Sequence, residues 1–246
     1  MYPLLISGAL ALSILLGFLL VPEKPAYVFG PLMGLLAFVP AFLVLTRRMG
    51  EKVRPLFEQA QRQAKAGNVP QAIETLEKAL GWRRWQLFLG AQIHTEIGLL
   101  HYAQGNEKQA IEHLRRGYPK VSHGHLVLAA ALYRDGKLED ACKALELGIR
   151  YNRRSPILYN VLAWLLAQEK QRERAIAVLA RGLAADPADE GTKDNLVRLQ
   201  NDKRMNMKPF GDLWYLLKFE TMKGAQQQPF RKGFRQPPKQ PKSKAR

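Results

Sequence analysis

The side chains best suited to metal binding are few in this sequence, and their spacing matches no familiar site. The histidines are His94, His101, His113, His123 and His125, and none belongs to an HExxH pattern. His123 and His125 flank a glycine, but no third carboxylate or thiolate ligand stands near them in the sequence. We therefore expect them to serve the start of a helix, and we expect no metal site.

The residues that could support covalent or nucleotide chemistry are equally sparse. The single cysteine, Cys142, excludes an intrachain disulfide and a zinc site built on thiolates. We expect it to be a small apolar filler within a helix rather than a reactive thiol. No GxxxxGK[ST], GxGxxG or GxSxG stretch occurs. With no recognisable set of acid, base and nucleophile, we expect neither catalytic activity nor a cofactor.

Positive charge is the strongest chemical signal, and much of it lies at the C-terminus. The chain carries 38 basic and 21 acidic residues, for a net charge of +17, and residues 223–246 include eight basic residues and no acidic one. This basic tail, rich in Gln and Pro, is expected to be disordered. Three interpretations stay open: contact with anionic lipid, contact with RNA phosphates and bases, or simple solvation. The residues proposed for lipid or nucleic-acid contact are Arg231, Lys232, Arg235, Lys239, Lys242, Lys244 and Arg246.

Two uncharged stretches at the N-terminus predict a transmembrane hairpin over residues 1–46. Residues 3–21 would span about 28 Å as a helix, close to the hydrocarbon thickness of a bilayer. Residues 28–45 form the second predicted span, where Pro40 should introduce a kink, and residues 22–26 leave room only for a tight turn. A cleaved signal peptide is disfavoured by the lack of a basic leading region, and a buried soluble hairpin by the lack of a polar face.

The charge on either side of these spans predicts their orientation. Residues 46–66 hold six basic and two acidic residues, whereas the turn holds one lysine and one glutamate. The positive-inside rule then places both termini and everything after residue 46 in the cytoplasm. We expect an integral membrane protein of the bacterial inner membrane.

The middle of the chain repeats itself four times. The copies are "GNVPQAIETLEKAL" (67–80), "GNEKQAIEHLRRGY" (105–118), "GKLEDACKALELGI" (136–149) and "KQRERAIAVLARGL" (170–183). Each has alanine at the sixth position, leucine at the tenth and alanine or glycine at the thirteenth, so small residues recur where two helices would approach closely. The fourth copy departs from the pattern because Lys170 stands where the others have glycine.

This pattern resembles the tetratricopeptide repeat, a 34-residue pair of antiparallel helices. The resemblance implies an all-α fold in which residues 47–187 form a solenoid of four repeats, at about 53–86, 91–121, 122–155 and 156–189. We expect the second repeat to begin early, near Trp85, and a capping helix at about 190–205. The apolar stretch 208–220 completes a region at 188–222, where Asp212 could cap a short helix. Three alternatives stay open for residues 208–220: they pack on the last repeat, lie at the membrane interface or bind a partner.

The family uses the first helix of each repeat to line a groove for peptides or partner proteins. The residues in phase mix aromatic, basic and amide side chains, which suit a peptide with apolar side chains and some negative charge. The alternative is that Tyr102, Tyr133 and Trp164, which recur at helical spacing, are half-buried packing residues. No carboxylate clamp of the chaperone-receptor kind is found in phase. The residues expected to line the groove are Arg54, Phe57, Gln61, Lys65, Gln92, Thr95, Leu99, Tyr102, His123, Leu126, Ala130, Tyr133, Arg134, Ile157, Asn160, Trp164 and Gln168.

Together these features predict a membrane-anchored scaffold that recruits a protein or peptide on the cytoplasmic side. Its role would be the assembly or regulation of a membrane or envelope complex. One alternative is an RNA- or ribosome-associated membrane factor that uses the basic tail. Another is a periplasm-facing assembly factor of the cytochrome-maturation type, which differs in orientation.

Overall fold

The computed structural model describes residues 2–19 and 26–219, and every regular element in those residues is helical. The all-α prediction is therefore confirmed. The predicted turn before residue 26 and the basic tail at 223–246 lie outside the described residues. The helices are α1 (Tyr2–Leu19), α2 (Ala26–Lys65), α3 (Val69–Leu80), α4 (Leu89–Ala103), α5 (Glu107–Arg115), α6 (Ser122–Arg134), α7 (Leu138–Tyr151), α8 (Pro156–Gln168), α9 (Arg172–Ala185), α10 (Glu190–Gln200) and α11 (Gly211–Leu216), the last preceded by a 3-10 turn at Lys208–Phe210.

Helices α1 and α2 form an antiparallel pair that packs closely at small residues. A Cβ atom added at Gly34 would lie 3.2 Å from the Ala11 carbonyl oxygen, and one at Gly30 would lie 3.0 Å from Phe18 Cβ. These close approaches leave the large side chains outside, with Leu5 63% and Leu36 65% exposed. Among the described residues, one helix is long and apolar enough to cross a membrane, and it is the part of α2 from Phe29 to Lys65. Helix α1 is apolar but shorter. Length and composition alone point only weakly to a membrane.

Helix α2 joins the apolar pair to the repeats without a break. It continues through residue 46, so the predicted second span and the first helix of the first repeat are one 40-residue helix. Pro31, Pro40 and Pro55 all lie inside it. The solenoid therefore begins as a direct extension of the apolar hairpin.

The repeats are the helix pairs α2–α3, α4–α5, α6–α7 and α8–α9, with α10 packed after them. The small residues at the recurring positions are needed for this packing. A Cβ atom at Gly98 would lie 2.6 Å from Leu114 Cγ, and one at Gly182 would lie 2.9 Å from Tyr159 Cβ. Such distances leave no room for a methyl group, so the two helices of the second and fourth pairs lie directly against each other.

The turns inside the repeats share one backbone conformation. Gly67, Gly105 and Gly136 have φ values of 82°, 84° and 74°. Lys170, the residue that departs from the sequence pattern, occupies the same left-handed conformation with φ of 59°. The fourth repeat thus keeps the turn geometry with a residue whose Cβ makes that conformation sterically unfavourable.

Two predicted helix boundaries are wrong. Helix α4 begins at Leu89 rather than near Trp85, because Phe88 adopts a left-handed φ of 62° and residues 81–88 form a loop. The capping helix ends at Gln200 rather than at 205, and Asp202 follows it with φ of 57°. At the other end of α10, the Asp189 carboxylate accepts a hydrogen bond from the Thr192 amide, as expected of a capping residue.

Candidate functional site

The groove predicted from the sequence is the surface formed by the first helix of each repeat, and part of it is covered. Residues 205–219, here called the C-terminal segment, leave α10 and fold back across α8, α6 and α4. Trp214 and Leu217 have no exposed surface. The sequence left open whether this stretch packs on the last repeat, and the structure shows contacts that reach the second.

Aromatic side chains form the apolar part of this contact. The Trp164 ring centroid lies 5.1 Å from that of Trp214 and 4.8 Å from that of Phe219. The Tyr133 ring lies 5.8 Å from Phe219 in an edge-to-face arrangement. These rings, contributed by α6, α8 and the C-terminal segment, create a continuous aromatic cluster of the kind that stabilises peptide interfaces.

A main-chain carbonyl forms the polar part. The Leu217 carbonyl oxygen accepts hydrogen bonds from the Tyr102 hydroxyl at 2.7 Å and from Arg134 Nη2 at 2.9 Å. Arg134 also donates to the Tyr102 oxygen and forms an ion pair with Glu107, which fixes its orientation. Lys218 Nζ lies 3.4 Å from the Tyr102 carbonyl oxygen at the end of α4.

The protonation state of Tyr102 suits this arrangement. Burial raises its pKa to about 12, and the nearby Arg134 opposes that shift. At neutral pH the phenol therefore keeps its proton and donates it to the Leu217 carbonyl while accepting from Arg134. Tyr102 and Leu217 are buried, whereas the Arg134 and Glu107 side chains keep 30% and 31% of their surface exposed, so the network lies at the edge of the core with its polar groups paired.

Several of the predicted groove residues have packing roles instead. Thr95 is buried, and its hydroxyl accepts a hydrogen bond from the Tyr118 amide at 2.8 Å. Asn160 is buried and donates to the Thr192 hydroxyl, while its carbonyl accepts from Asn195. Leu126, Ala130 and Ile157 are also buried.

The same asparagine network holds the start of the C-terminal segment. Asn195 of α10 donates to the Asn206 carbonyl oxygen at 3.1 Å and accepts from the Asn206 amide at 2.6 Å. Phe210 occupies the N-cap position of α11 and Asp212 lies in its first turn, so Asp212 is not the capping residue that the sequence predicted. The segment is therefore fixed at its beginning by α10 and at its end by α4 and α6.

The remaining predicted residues lie on either side of the covered part. Arg54, Phe57 and Gln61 line an open cleft of about 380 Å³ with Glu96 and Leu100. Burial raises the pKa of Glu96, and the nearby His123 opposes the shift. Gln168 lines another cleft, of about 630 Å³, beside Trp164 and Phe219. Lys65 is exposed, and Gln92 and Leu99 are half-buried.

The described residues include no group of three or more His, Cys, Asp or Glu side chains that could hold a metal ion. His125 Nε2 lies 2.9 Å from the Pro119 carbonyl oxygen. Cys142 is buried, and its burial raises the pKa of the thiol, which keeps the sulfur protonated at neutral pH.

Stacked helix pairs with a surface able to hold a peptide segment define a helical-repeat scaffold, a class that binds other polypeptides and is typically non-catalytic. A model of the tetratricopeptide repeat matches residues 57–125 and 126–190, which is more than half of the chain. The chain belongs to the tetratricopeptide repeat family.

Solved structures that are similar to the chain share little sequence with it. One titled "Crystal structure of MamA" is 16% identical, covering 65% of this chain and 91% of its own, with a TM-score of 0.47. MamA 41-end from Desulfovibrio magneticus is 17% identical over 69% and 97%, also with a TM-score of 0.47. TTC0263, a thermophilic TPR protein of Thermus thermophilus, is 20% identical over 69% and 94%, with a TM-score of 0.44. No curated protein matches the sequence.

Proposed function

We propose that this protein is a membrane-tethered adaptor whose groove binds a segment of a partner protein in exchange for its own C-terminal segment. The observation that carries the proposal is the hydrogen bonding of Tyr102 and Arg134 to the Leu217 carbonyl. A main-chain carbonyl is present in every polypeptide, so Tyr102 and Arg134 can donate to a foreign segment in the same way as to Leu217.

Specificity would come from the aromatic cluster. Trp214 and Leu217, three residues apart on one turn, place their side chains against the repeats and are fully buried. A competing partner would therefore present an aromatic and a leucine side chain at the same spacing, in a short helical turn. Because the resident segment is attached through a short connection, it has a high effective concentration, and only a partner concentrated at the same site would displace it efficiently.

Membrane tethering would provide that concentration. The large apolar side chains of α1 and α2 face outward rather than into a core, and the most apolar stretch of α2 is only 11% buried. A helix pair of this kind is costly in water and favourable in lipid. The basic residues after residue 46 support a cytoplasmic position for the repeats. The proposed role is the assembly or regulation of a membrane or envelope complex.

The test compares partner capture from crosslinked membranes by three forms of the full chain. Trp214→Ala/Leu217→Ala removes the two buried contacts of the C-terminal segment and should increase capture several-fold. Leu213→Ala/Leu216→Ala is the matched control, since these side chains lie on the exposed side of the same helix. It should leave capture unchanged.

A further variant and a competing peptide test whether the partner binds in the groove. Arg134→Ala in the released variant should reverse the increase, because the partner's carbonyl then loses its charged donor. A synthetic peptide of residues 205–219 should compete with the partner. Equal capture by the released variant and the control, with no competition by the peptide, would exclude the exchange.

A further inference from the structure

The loop at residues 81–88, called the first inter-repeat loop, contacts the beginning of α1 and carries an unusual composition. Its sequence is "GWRRWQLF". The Tyr2 amide donates to the Arg84 carbonyl oxygen at 2.9 Å, and Arg84 Nη1 donates to the Tyr2 hydroxyl at 3.3 Å. The Trp85 ring centroid lies 5.0 Å from that of Tyr2. This loop therefore lies at one end of the apolar hairpin.

The first inter-repeat loop lies at the end of the hairpin where the charged residues of α2 begin. Ala11 lies against Gly34 in the antiparallel pair, so Tyr2 lies beside the part of α2 near residues 43–46. Arg47 and Arg48 follow at once, and Lys52 Nζ lies 5.7 Å from the centre of the Trp82 ring. If the hairpin spans a bilayer, the loop is at the boundary between hydrocarbon and water.

The cleft between Tyr2 and this loop has the chemistry of a phosphate site. It has a volume of about 420 Å³ and is lined by Tyr2, Leu80, Gly81, Arg83 and Arg84. Neither arginine has a carboxylate partner within 4 Å among residues 2–19 and 26–219. Leu87 and Phe88 beside them are 45% and 51% exposed. Tryptophan and arginine together, with exposed apolar residues, are the composition favoured at a membrane interface.

We propose that this cleft binds the phosphate of an anionic lipid headgroup, with Arg83, Arg84 and the Tyr2 hydroxyl as its contacts. Trp82, Trp85, Leu87 and Phe88 lie in the interfacial layer around it. The site holds the first repeat against the membrane and so fixes the solenoid relative to the bilayer. This inference depends on the membrane tethering proposed above and adds a lipid-binding site to it.

The first test measures lipid retention by native mass spectrometry on the full chain, released from nanodiscs of equal phosphatidylglycerol and phosphatidylcholine. The wild-type chain should retain phosphatidylglycerol preferentially, and Arg83→Gln/Arg84→Gln should reduce this retention at least five-fold. Arg153→Gln/Arg154→Gln is the matched control, because it removes two consecutive exposed arginines from another inter-repeat loop. Inorganic phosphate at matched ionic strength should not displace the lipid.

The second test uses quenching of tryptophan fluorescence by brominated phosphatidylglycerol. The wild-type chain should be quenched, and Trp82→Phe/Trp85→Phe should lose most of that quenching, because Trp214 is fully buried and Trp164 packs against it in the aromatic cluster on α8. Equal retention of the two lipids by the wild type, an equal effect of the two arginine pairs, or unchanged quenching in the tryptophan variant would each overturn the site. Extraction of the wild-type chain by alkaline carbonate would instead overturn the tethering itself.

Discussion

Tyr102 illustrates how a groove residue predicted from spacing acquires its role only in the folded chain. Sequence phase places it on the first helix of the second repeat, where it could contact a partner. In the structure it is fully buried, and it binds the carbonyl of a residue 115 positions later. No local pattern contains that contact, because the partner segment returns from beyond the last repeat.

The raised pKa of Tyr102 predicts a specific loss of stability at high pH. Below pH 10 the phenol is protonated in both states, but between pH 10 and about 12 only the unfolded state loses the proton. Stability contributed by Tyr102 should therefore fall by roughly 2–3 kcal/mol across that range. The unfolding free energies of the wild type and Tyr102→Phe, measured from pH 9 to 12, should converge as pH rises. Parallel curves would contradict the assignment.

Lys170 predicts a stabilising substitution. A left-handed φ costs a residue with a side chain about 1 kcal/mol more than glycine, so Lys170→Gly should raise the free energy of unfolding by about that amount. Gly136→Lys, the reverse exchange at the same turn position of the third repeat, should lower it by a similar amount. Urea unfolding in detergent checks both, and a loss of stability in Lys170→Gly would refute the argument.

At the scale of the elements, the sequence was informative wherever a contact repeats locally. Alanine, leucine and small residues at fixed spacing predicted the helix pairs, because each pair packs through the same positions. The first inter-repeat loop was predicted to be partly helical, and that was wrong: Phe88 is left-handed, and Arg84 and Trp85 contact Tyr2 of a distant helix. The return of the C-terminal segment to the second repeat was likewise invisible, although its apolar composition indicated that it packs on something.

The close packing of repeat helices predicts a contrast between two glycines. In Gly98→Ala the added methyl would meet Leu114 at 2.6 Å and should destabilise the protein by about 1–3 kcal/mol. Gly50→Ala, inside α2 with nothing within 4 Å, should instead stabilise it by up to about 1 kcal/mol. Denaturant unfolding of the two variants tests this, and equal effects of the same sign would contradict the packing.

At the scale of the whole molecule, the continuity of α2 is the main consequence of the fold. One helix runs from the apolar pair into the first repeat, so a membrane position for the hairpin would determine where the groove lies. The proposed cytoplasmic orientation predicts that protease added to intact spheroplasts leaves the repeats undigested, while a periplasmic control protein is cleaved. Digestion of the repeats before lysis would favour the periplasm-facing alternative.

The C-terminal segment covers the first helices of the second to fourth repeats. Hydrogen–deuterium exchange of the full chain in detergent tests it most directly, by comparing residues 205–219 in the wild type and in Trp214→Ala/Leu217→Ala. We expect slow exchange of the amides at 214–218 in the wild type, and exchange at least ten-fold faster in the variant. Wild-type amides in this stretch that exchange within seconds, at the rate expected for an unfolded peptide, would contradict it.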